Sequence, residues 1–166
     1  MIKTAALLIS IVIMFNSQLA KFEAPDFLQM SVEARASELG LETSEFILFS
    51  SVVEAESDRS DSLEGRILIA EVILNRLNDP RFGCDSITEV LTAPGQFSTV
   101  RHGQSVTNRT DLSDEAVRIA ISEVENGTAP AVLFFNCIGY NYGEPYGDGP
   151  IDGNYFMTYG GIQTDE

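Results

Sequence analysis

The chain has 166 residues, of which 44% are hydrophobic and 21% charged, and this is enough for one globular domain with a proper core. Its 25 acidic and 10 basic residues give a formal net charge of -15. Because proteins that bind nucleic acid present a basic face, this balance argues against a nucleic-acid partner.

The first twenty residues differ from the rest of the chain. Lys3 precedes an apolar run from about Ala5 to Phe15, and a polar segment of small residues follows. This order is typical of an export signal, and the run is shorter than the roughly 20 apolar residues that span a bilayer. Because Gln18 is unfavourable for cleavage after Ala20, an uncleaved membrane anchor remains the alternative. Either reading places the folded part outside the cytoplasm, in the periplasm, the cell envelope or the medium.

Residues 21–42 are predicted to be a linker with a short helix from Ser31 to Glu38, which Gly40 ends. The domain is expected over residues 43–160, with a tail at 161–166.

The next helix is predicted to begin at a cap formed by Thr43 or Ser44. Its apolar positions have the spacing of one helical face: Phe46, Phe49, Val52 and Val53. Three residues further, the same stripe reaches Glu56. A carboxylate on an apolar face is costly to bury without a partner and tends to take up a proton, so Glu56 is a candidate for chemistry.

A second helix is predicted after an Asp61–Glu64 capping box, and its apolar stretch from Ile67 to Leu77 indicates a central position in the core. Its polar residues fall on one stripe, which is either a solvated face or the wall of a groove: Glu64, Glu71, Asn75 and Asn78. Asn75 and Arg76 are assigned to the core end of this helix.

Two further helices and two strands complete the prediction. The helices are a short one over residues 86–91 with its own capping box, and one over Asp114 to Glu125 that Ser113 caps and Gly127 closes. The strands cover residues 131–135 and 155–159, and an irregular loop rich in glycine and tyrosine is predicted between them, at 139–153.

The sequence lacks the residues that several classes of catalytic or metal site require. His102 is the only histidine, so neither a histidine-rich zinc site nor a metalloprotease motif is present, and no cofactor is predicted. A calcium site near Asp148 and Asp152 lacks the EF-hand spacing. Cys84 and Cys137 either pair across the domain or remain two buried, unpaired thiols, and neither lies in a nucleophile motif.

Carboxylate chemistry remains. Two residues along a helix correspond to about 200°, so Glu54 is expected on the opposite side from Glu56, on a wetter flank with Ile47, Ser50 and Ser51. The negative end of the helix dipole, with Asp58 and Asp61 nearby, is expected to favour the protonated form of Glu56 and so a general acid.

The plainer interpretation is a Glu56 that faces water or pairs with Arg59. A glycosidase of the usual kind also needs a second carboxylate, for which Asp61 and Glu64 are the candidates.

Short motifs in a fixed order resemble the SleB/CwlJ-type cell-wall hydrolases, the spore cortex-lytic enzymes and their relatives. The motifs are VEAES (53–57), LEGR (63–66), VILNR (72–76), DPRF (79–82), PGQFS (94–98), VLFFN (132–136) and GNYF (153–156). The resemblance implies an α+β, mainly α, lysozyme-like catalytic domain with a small β segment near the C-terminus. It also implies cleavage of peptidoglycan glycan strands by a lytic transglycosylase. The protein is expected to be a monomer.

The resemblance assigns roles to individual residues. Glu56 matches the family's catalytic glutamate, and Gln96, Phe97 and Asn136 match positions near the substrate groove. Tyr155, in the closing segment, is placed with them in substrate binding. No metal ligand is implied.

The chain also departs from the family pattern. The acidic turn before Glu64 is one residue longer, Asn154 stands where a histidine is common, and tryptophan is absent. The alternative from another class is a peptidoglycan-binding module that kept the fold without the activity, followed by a thiol peptidase.

Overall fold

The computed structural model describes residues 26–57, 62–97, 100 and 108–159. The chain divides into residues 1–30 and residues 31–166. The described part of the first unit is a short 3-10 turn over Phe27–Gln29, which Asp26 caps. The predicted signal or anchor at 1–20 and the tail at 161–166 lie outside the described residues. Within the described residues, no helix has the length and apolar character needed to cross a membrane.

The described part of the second unit contains five α-helices followed by a small sheet, which confirms the predicted α+β, mainly α class. The helices are α1 (Val32–Glu38), α2 (Thr43–Glu56), α3 (Leu63–Asn78), α4 (Ile87–Thr92) and α5 (Asp111–Glu125). The strands are β1 (Val132–Asn136), β2 (Glu144–Ile151) and β3 (Asn154–Thr158).

Two of the predicted caps are wrong. Helix α2 follows Glu42, which makes no side-chain capping bond, so neither Thr43 nor Ser44 is its N-cap. Helix α3 is capped by Ser62, whose hydroxyl accepts a backbone N–H of the first turn, and not by Asp61. Neighbouring polar residues compete for the cap position, and the way the helix packs decides between them.

Helix α5 begins three residues before the predicted start. Thr110 is its N-cap, and Ser113 is the third helical residue, which returns a side-chain hydrogen bond to the backbone of Thr110. The capping box predicted for the short helix is confirmed only in part. The Ser86 hydroxyl accepts the N–H of Glu89, but the Glu89 carboxylate accepts the backbone N–H of Asp85 rather than that of Ser86.

Helix α3 lies at the centre of the core, as predicted, and packs against α5, β1 and α4. Its polar stripe is solvated only at its two ends, at Glu64 and Asn78. Glu71 is 1% exposed. The Asn75 amide is half-buried and donates to the backbone oxygens of Pro130 and Val132, both at 2.9 Å. This face of α3 is therefore mostly inside the protein.

The predicted wetter flank of α2 is wrong for its two serines, whereas Ile47 and Glu54 on the same flank are half-buried. Ser50 and Ser51 are both fully buried, because α5 packs against this side. The Ser50 hydroxyl donates to Asp114 at 2.5 Å, and Asp114 also accepts hydrogen bonds from Arg35 at 2.5 Å and from Arg109. This fully buried, charge-compensated carboxylate joins α1, α2 and α5.

The sheet has the order β1-β3-β2 and both pairs are antiparallel. Strands β1 and β3 match the two predicted strands within a residue. The predicted irregular loop is wrong in part, since β2 lies within it and pairs with β3. Pro145 and Pro150 argued against a strand in the sequence, because proline has no N–H to donate. Proline is tolerated in β2 because this is an edge strand, one side of which needs no ladder hydrogen bonds.

Candidate active site

A cavity of about 470 Å³ lies where the end of α2, the C-terminal half of α3, the segment after α4, and the sheet meet. Its described lining residues are Glu56, Arg76, Gly95, Gln96, Phe134, Phe135, Asn136, Cys137, Tyr142 and Asn154. The cavity therefore brings together residues from opposite ends of the domain sequence.

Glu56 is the last residue of α2 and is half-buried. The last carbonyls of a helix have no partner within the helix. The backbone oxygen of Glu56 accepts a hydrogen bond from the side-chain amide of Asn154 at 3.4 Å, and Asn154 is itself buried on β3. Strand β3 thus holds the end of the helix that carries the candidate acid.

Arg76 on α3 brings a buried positive charge to the same cavity. Its side chain is 6% exposed, its Nε donates to the Leu133 carbonyl at 2.8 Å, and its Nη1 donates to the Gln96 side-chain oxygen at 2.8 Å. Burial lowers the pKa of Arg76 to about 10, and the Glu56 charge acts in the opposite direction. Arg76 therefore remains a cation at neutral pH.

Aromatic rings surround the Arg76 guanidinium. Its central carbon lies 5.4 Å from the ring centres of Phe82 and Phe97 and 5.7 Å from that of Phe134. The negative faces of these rings compensate part of the lost hydration of the cation. They also fix the position of the guanidinium, and with it the Gln96 side chain that the guanidinium binds.

Glu56 is the only carboxylate among the described residues that line the cavity. Glu54 lies on another side of α2, where Arg66 binds both of its oxygens at 2.9 and 3.0 Å and the Thr110 hydroxyl donates at 2.7 Å. The Arg66 hydrogen bonds are the main cause that lowers the pKa of Glu54. Glu64 is exposed and lines a different groove.

The structure brings three of the five predicted site residues together, since Glu56, Gln96 and Asn136 all line the cavity. Phe97 is buried beneath it against Arg76. Tyr155 follows Asn154 along β3, so its side chain is directed to the opposite face of the sheet, where it stacks edge-on against Tyr140 at 5.0 Å.

Sequence reasoning missed Arg76 and Asn154 as lining residues. The assignment of Arg76 to the core is correct for its burial but overlooks its position beside Glu56. A charged residue at the end of the long apolar stretch of α3 was the available signal. For Asn154, the signal was its place at a position where the resembling family has a histidine.

The two cysteines are unpaired, so the predicted alternative of a disulfide does not hold. Cys84 is half-buried and Cys137 is exposed at the cavity, so the predicted burial of the free thiols is also wrong. His102, the base that a thiol peptidase would need, lies outside the described residues. The part of the chain that the structure describes contains no group of three or more His, Cys, Asp or Glu side chains arranged to hold a metal ion.

Comparison with known proteins finds relatives named spore cortex-lytic enzymes. The spore cortex-lytic enzyme of Bacillus subtilis (strain 168) is 36% identical over 100 residues, which cover 58% of this chain and 31% of that protein. The spore cortex-lytic enzyme of Oceanobacillus iheyensis is 35% identical over 100 residues, covering 58% of this chain and 34% of that protein. The one from Halalkalibacterium halodurans is 36% identical over 81 residues, covering 47% and 23%.

The chain thus matches between 23% and 34% of the length of these relatives. No solved structure matches it. The family described as Cell Wall Hydrolase matches residues 60–142, half of the chain, a range that includes Arg76, Gln96 and Asn136 and begins just after Glu56. The chain therefore belongs to the cell wall hydrolase family.

Proposed function

We propose that this protein cleaves the glycan strands of peptidoglycan as a lytic transglycosylase, with Glu56 as its one catalytic acid and base. The observation that carries the proposal is the cavity itself, in which Glu56 is the single carboxylate among the described lining residues. Membership of the cell wall hydrolase family and the names of the relatives support a wall substrate. Such a substrate places the folded part outside the cytoplasm.

The reaction needs only one carboxyl group. Protonated Glu56 donates its proton to the glycosidic oxygen between muramic acid and glucosamine while the bond from that oxygen to C1 of the muramic acid breaks. The C6 hydroxyl of the same sugar then attacks C1, and the Glu56 carboxylate accepts its proton. The product is a 1,6-anhydro sugar, no water is consumed, and Glu56 returns to its protonated form. Glycosidases of the usual kind need a second carboxylate about 5 to 9.5 Å away.

The other cavity residues supply binding and electrostatic stabilisation. Arg76 faces Glu56 and stabilises the carboxylate that forms after the first proton transfer. Because Arg76 occupies the side-chain oxygen of Gln96, the amide nitrogen of Gln96 is left to donate to the substrate. Asn136 offers a second amide, and Phe135 and Tyr142 offer apolar ring faces to the sugars.

The test uses the full chain with purified peptidoglycan and with spore cortex, and identifies released fragments by mass spectrometry. Glu56→Gln removes the proposed acid at nearly constant size. Asp61→Asn and Glu64→Gln remove the two candidate second carboxylates, and Glu125→Gln changes an exposed carboxylate at the end of α5 as a control. We expect anhydro-muropeptides from all of these proteins except the Glu56 variant.

Other outcomes would contradict the proposal in distinct ways. Products with reducing ends, lost in the Glu56 variant and also in the Asp61 or the Glu64 variant, would indicate a two-carboxylate hydrolase. If the wild-type protein sediments with both wall preparations but releases no fragments, it is a peptidoglycan-binding module.

A further inference from the structure

Three side-chain amides line the cavity around Glu56, and each has one end held by the protein. Gln96 follows α4, Asn136 ends β1, and Asn154 begins β3. An amide side chain has an oxygen that accepts hydrogen bonds and a nitrogen that donates them. The partner that the protein supplies therefore fixes which end of each amide is left for a ligand.

Gln96 and Asn136 are left with their donor nitrogens. The Gln96 oxygen accepts a hydrogen bond from the Arg76 guanidinium at 2.8 Å, and the Asn136 oxygen accepts one from the backbone N–H of Ile138 at 2.6 Å. Both partners are donors, so only the oxygen of each amide can meet them. Neither side-chain nitrogen donates a hydrogen bond to a residue that the structure describes.

Asn154 is oriented the other way. Its nitrogen donates to the backbone oxygen of Glu56 at 3.4 Å, which leaves its side-chain oxygen as the end without a partner among the described residues. The residue is buried and lines the cavity, so the cavity is where this oxygen can meet a donor. The three amides thus present two donors and one acceptor, from three separate segments of the chain.

An acetamido group has the complementary pattern. Its carbonyl oxygen has two lone pairs for the two donors, and its single N–H suits the one acceptor. Its methyl group suits the aromatic part of the lining, from Phe134 and Phe135. A hydroxyl group offers the same number of hydrogen bonds, but it places all of them on one atom and has no apolar part. The acetamido group therefore matches more of the cavity.

A free amino group matches the cavity poorly. An ammonium has three donors and no acceptor, so the nitrogens of Gln96 and Asn136 would meet it donor to donor. The buried guanidinium of Arg76, which binds Gln96, adds a like charge. Among the described lining residues, Glu56 alone carries a carboxylate that attracts an ammonium. The amides of the cavity therefore distinguish acetylated from deacetylated amino sugars.

We propose that these three amides bind the 2-acetamido group of a glycan sugar, so that the protein prefers N-acetylated strands to deacetylated ones. Gln96 and Asn136 donate to the acetyl oxygen. Asn154 accepts the amide N–H while it holds the end of the helix that carries Glu56. The inference rests on the proposed function, because it takes the cavity around Glu56 as the place where the glycan binds.

Sedimentation with peptidoglycan tests the proposal on the full chain carrying Glu56→Gln, which lacks the proposed acid and the carboxylate that would attract an amine. The probes are purified peptidoglycan, the same material treated with a peptidoglycan deacetylase, and the deacetylated material acetylated again with acetic anhydride. Untreated peptidoglycan exposed to acetic anhydride is the control for acetylation of peptide amines. Salt at about 0.5 M screens the attraction between the new amines and a chain of net charge -15.

We expect deacetylation to weaken binding by about tenfold or more, since it removes the partners of two or three hydrogen bonds, and acetylation to restore it. The acetic anhydride control should bind like untreated peptidoglycan.

Two substitutions invert a donor and keep the contact that holds its side chain. Gln96→Glu keeps an oxygen for Arg76, and Asn136→Asp keeps one for Ile138, but each replaces the donor nitrogen with a carboxylate oxygen. Each should weaken binding of acetylated peptidoglycan by about tenfold and strengthen binding of the deacetylated material, so that the preference shrinks or inverts. A purely structural role for these residues predicts weaker binding of both materials.

Two more variants complete the series. Asn126→Asp makes the same chemical change at an exposed position at the end of α5 and should keep the preference of the parent protein. Asn154→Leu removes the acceptor and should weaken binding of acetylated peptidoglycan. Because Asn154 is buried, circular dichroism checks the fold of this variant, and the Gln96 and Asn136 variants test the proposal independently of it.

Three results would overturn the proposal. They are equal binding of acetylated and deacetylated peptidoglycan, a preference that Gln96→Glu and Asn136→Asp leave unchanged, and the absence of binding to untreated peptidoglycan. Failure of the catalytic proposal has a different appearance. If the wild-type protein releases no fragments while the Glu56→Gln chain still prefers acetylated peptidoglycan, only the catalytic proposal fails. If the wild-type protein releases anhydro-muropeptides equally from both materials, only the present proposal fails.

Discussion

Replacing Glu71 by glutamine should change how the stability of the protein depends on pH. Glu71 has a raised pKa in the folded protein, about 8 against 4.5 for an ordinary glutamate, so between these values the folded state holds a proton that the unfolded state has lost. The free energy of unfolding must therefore fall as pH rises through this window. The contribution of protonated Glu71 is fully present below about pH 4.5 and is lost above about pH 8. Glutamine cannot ionise and removes this dependence.

The magnitude follows from the size of the pKa change. At about 1.36 kcal/mol for each pH unit, the change from 4.5 to about 8 corresponds to a loss of about 5 kcal/mol across the window. A domain of this size is stable by about 5 to 15 kcal/mol, so the loss is a large share of its total stability. The Glu71→Gln variant should thus become more stable relative to wild type by several kcal/mol between about pH 5 and pH 9.

Urea unfolding followed by far-ultraviolet circular dichroism, at several pH values across this range, measures the effect. The matched control is Glu125→Gln, which removes an exposed carboxylate and should follow the wild-type curve. If the curves of the Glu71 variant and wild type run parallel over the whole range, then Glu71 is not an uncharged buried acid and the reasoning is refuted.

Three further substitutions test the packing of the domain. Asp114→Asn leaves the guanidinium groups of two arginines without their buried partner and should lower the free energy of unfolding by about 3 to 5 kcal/mol; a loss under about 1 kcal/mol in urea unfolding would contradict this. Gly65→Ala places a methyl group against the Asp152 side chain and should cost about 1 to 3 kcal/mol, most of which Asp152→Gly should restore, since glycine accepts the φ of 52° there. Arg76→Met leaves the Gln96 oxygen without its donor, so fragment release should fall by tenfold or more, and Arg76→Lys should not restore it because lysine lacks the planar fork.

The helices of this domain were largely predictable because their signals are local. The apolar spacing of α2, the long apolar stretch of α3, and the Gly127 stop of α5 each appear within a few residues of sequence. The position of Glu56 at the end of an apolar stripe was visible for the same reason. Cap positions were less predictable, as at Ser62, since several polar residues compete within one turn.

The surroundings of Glu56 depend on contacts between distant parts of the chain. The position of Arg76 at the cavity depends on two hydrogen bonds, from its Nε to the Leu133 carbonyl and from its Nη1 to Gln96. Both partners lie far from Arg76 in sequence. Asn154 meets Glu56 because β3 packs against the end of α2. The spacing of residues within one segment cannot predict contacts between distant segments.

The sequence by itself thus determined the helical class, the main helices, two of the three strands and the candidate acid, because periodicity and motifs are properties of neighbouring residues. Only the tertiary structure decided which polar residues are buried. From sequence alone, Ser50 is predicted to face solvent and Glu71 to lie on a polar stripe. Both are buried because α5 packs against these sides of α2 and α3. The physical reason is that burial depends on what packs against a face, and the packing partner is set by the whole fold.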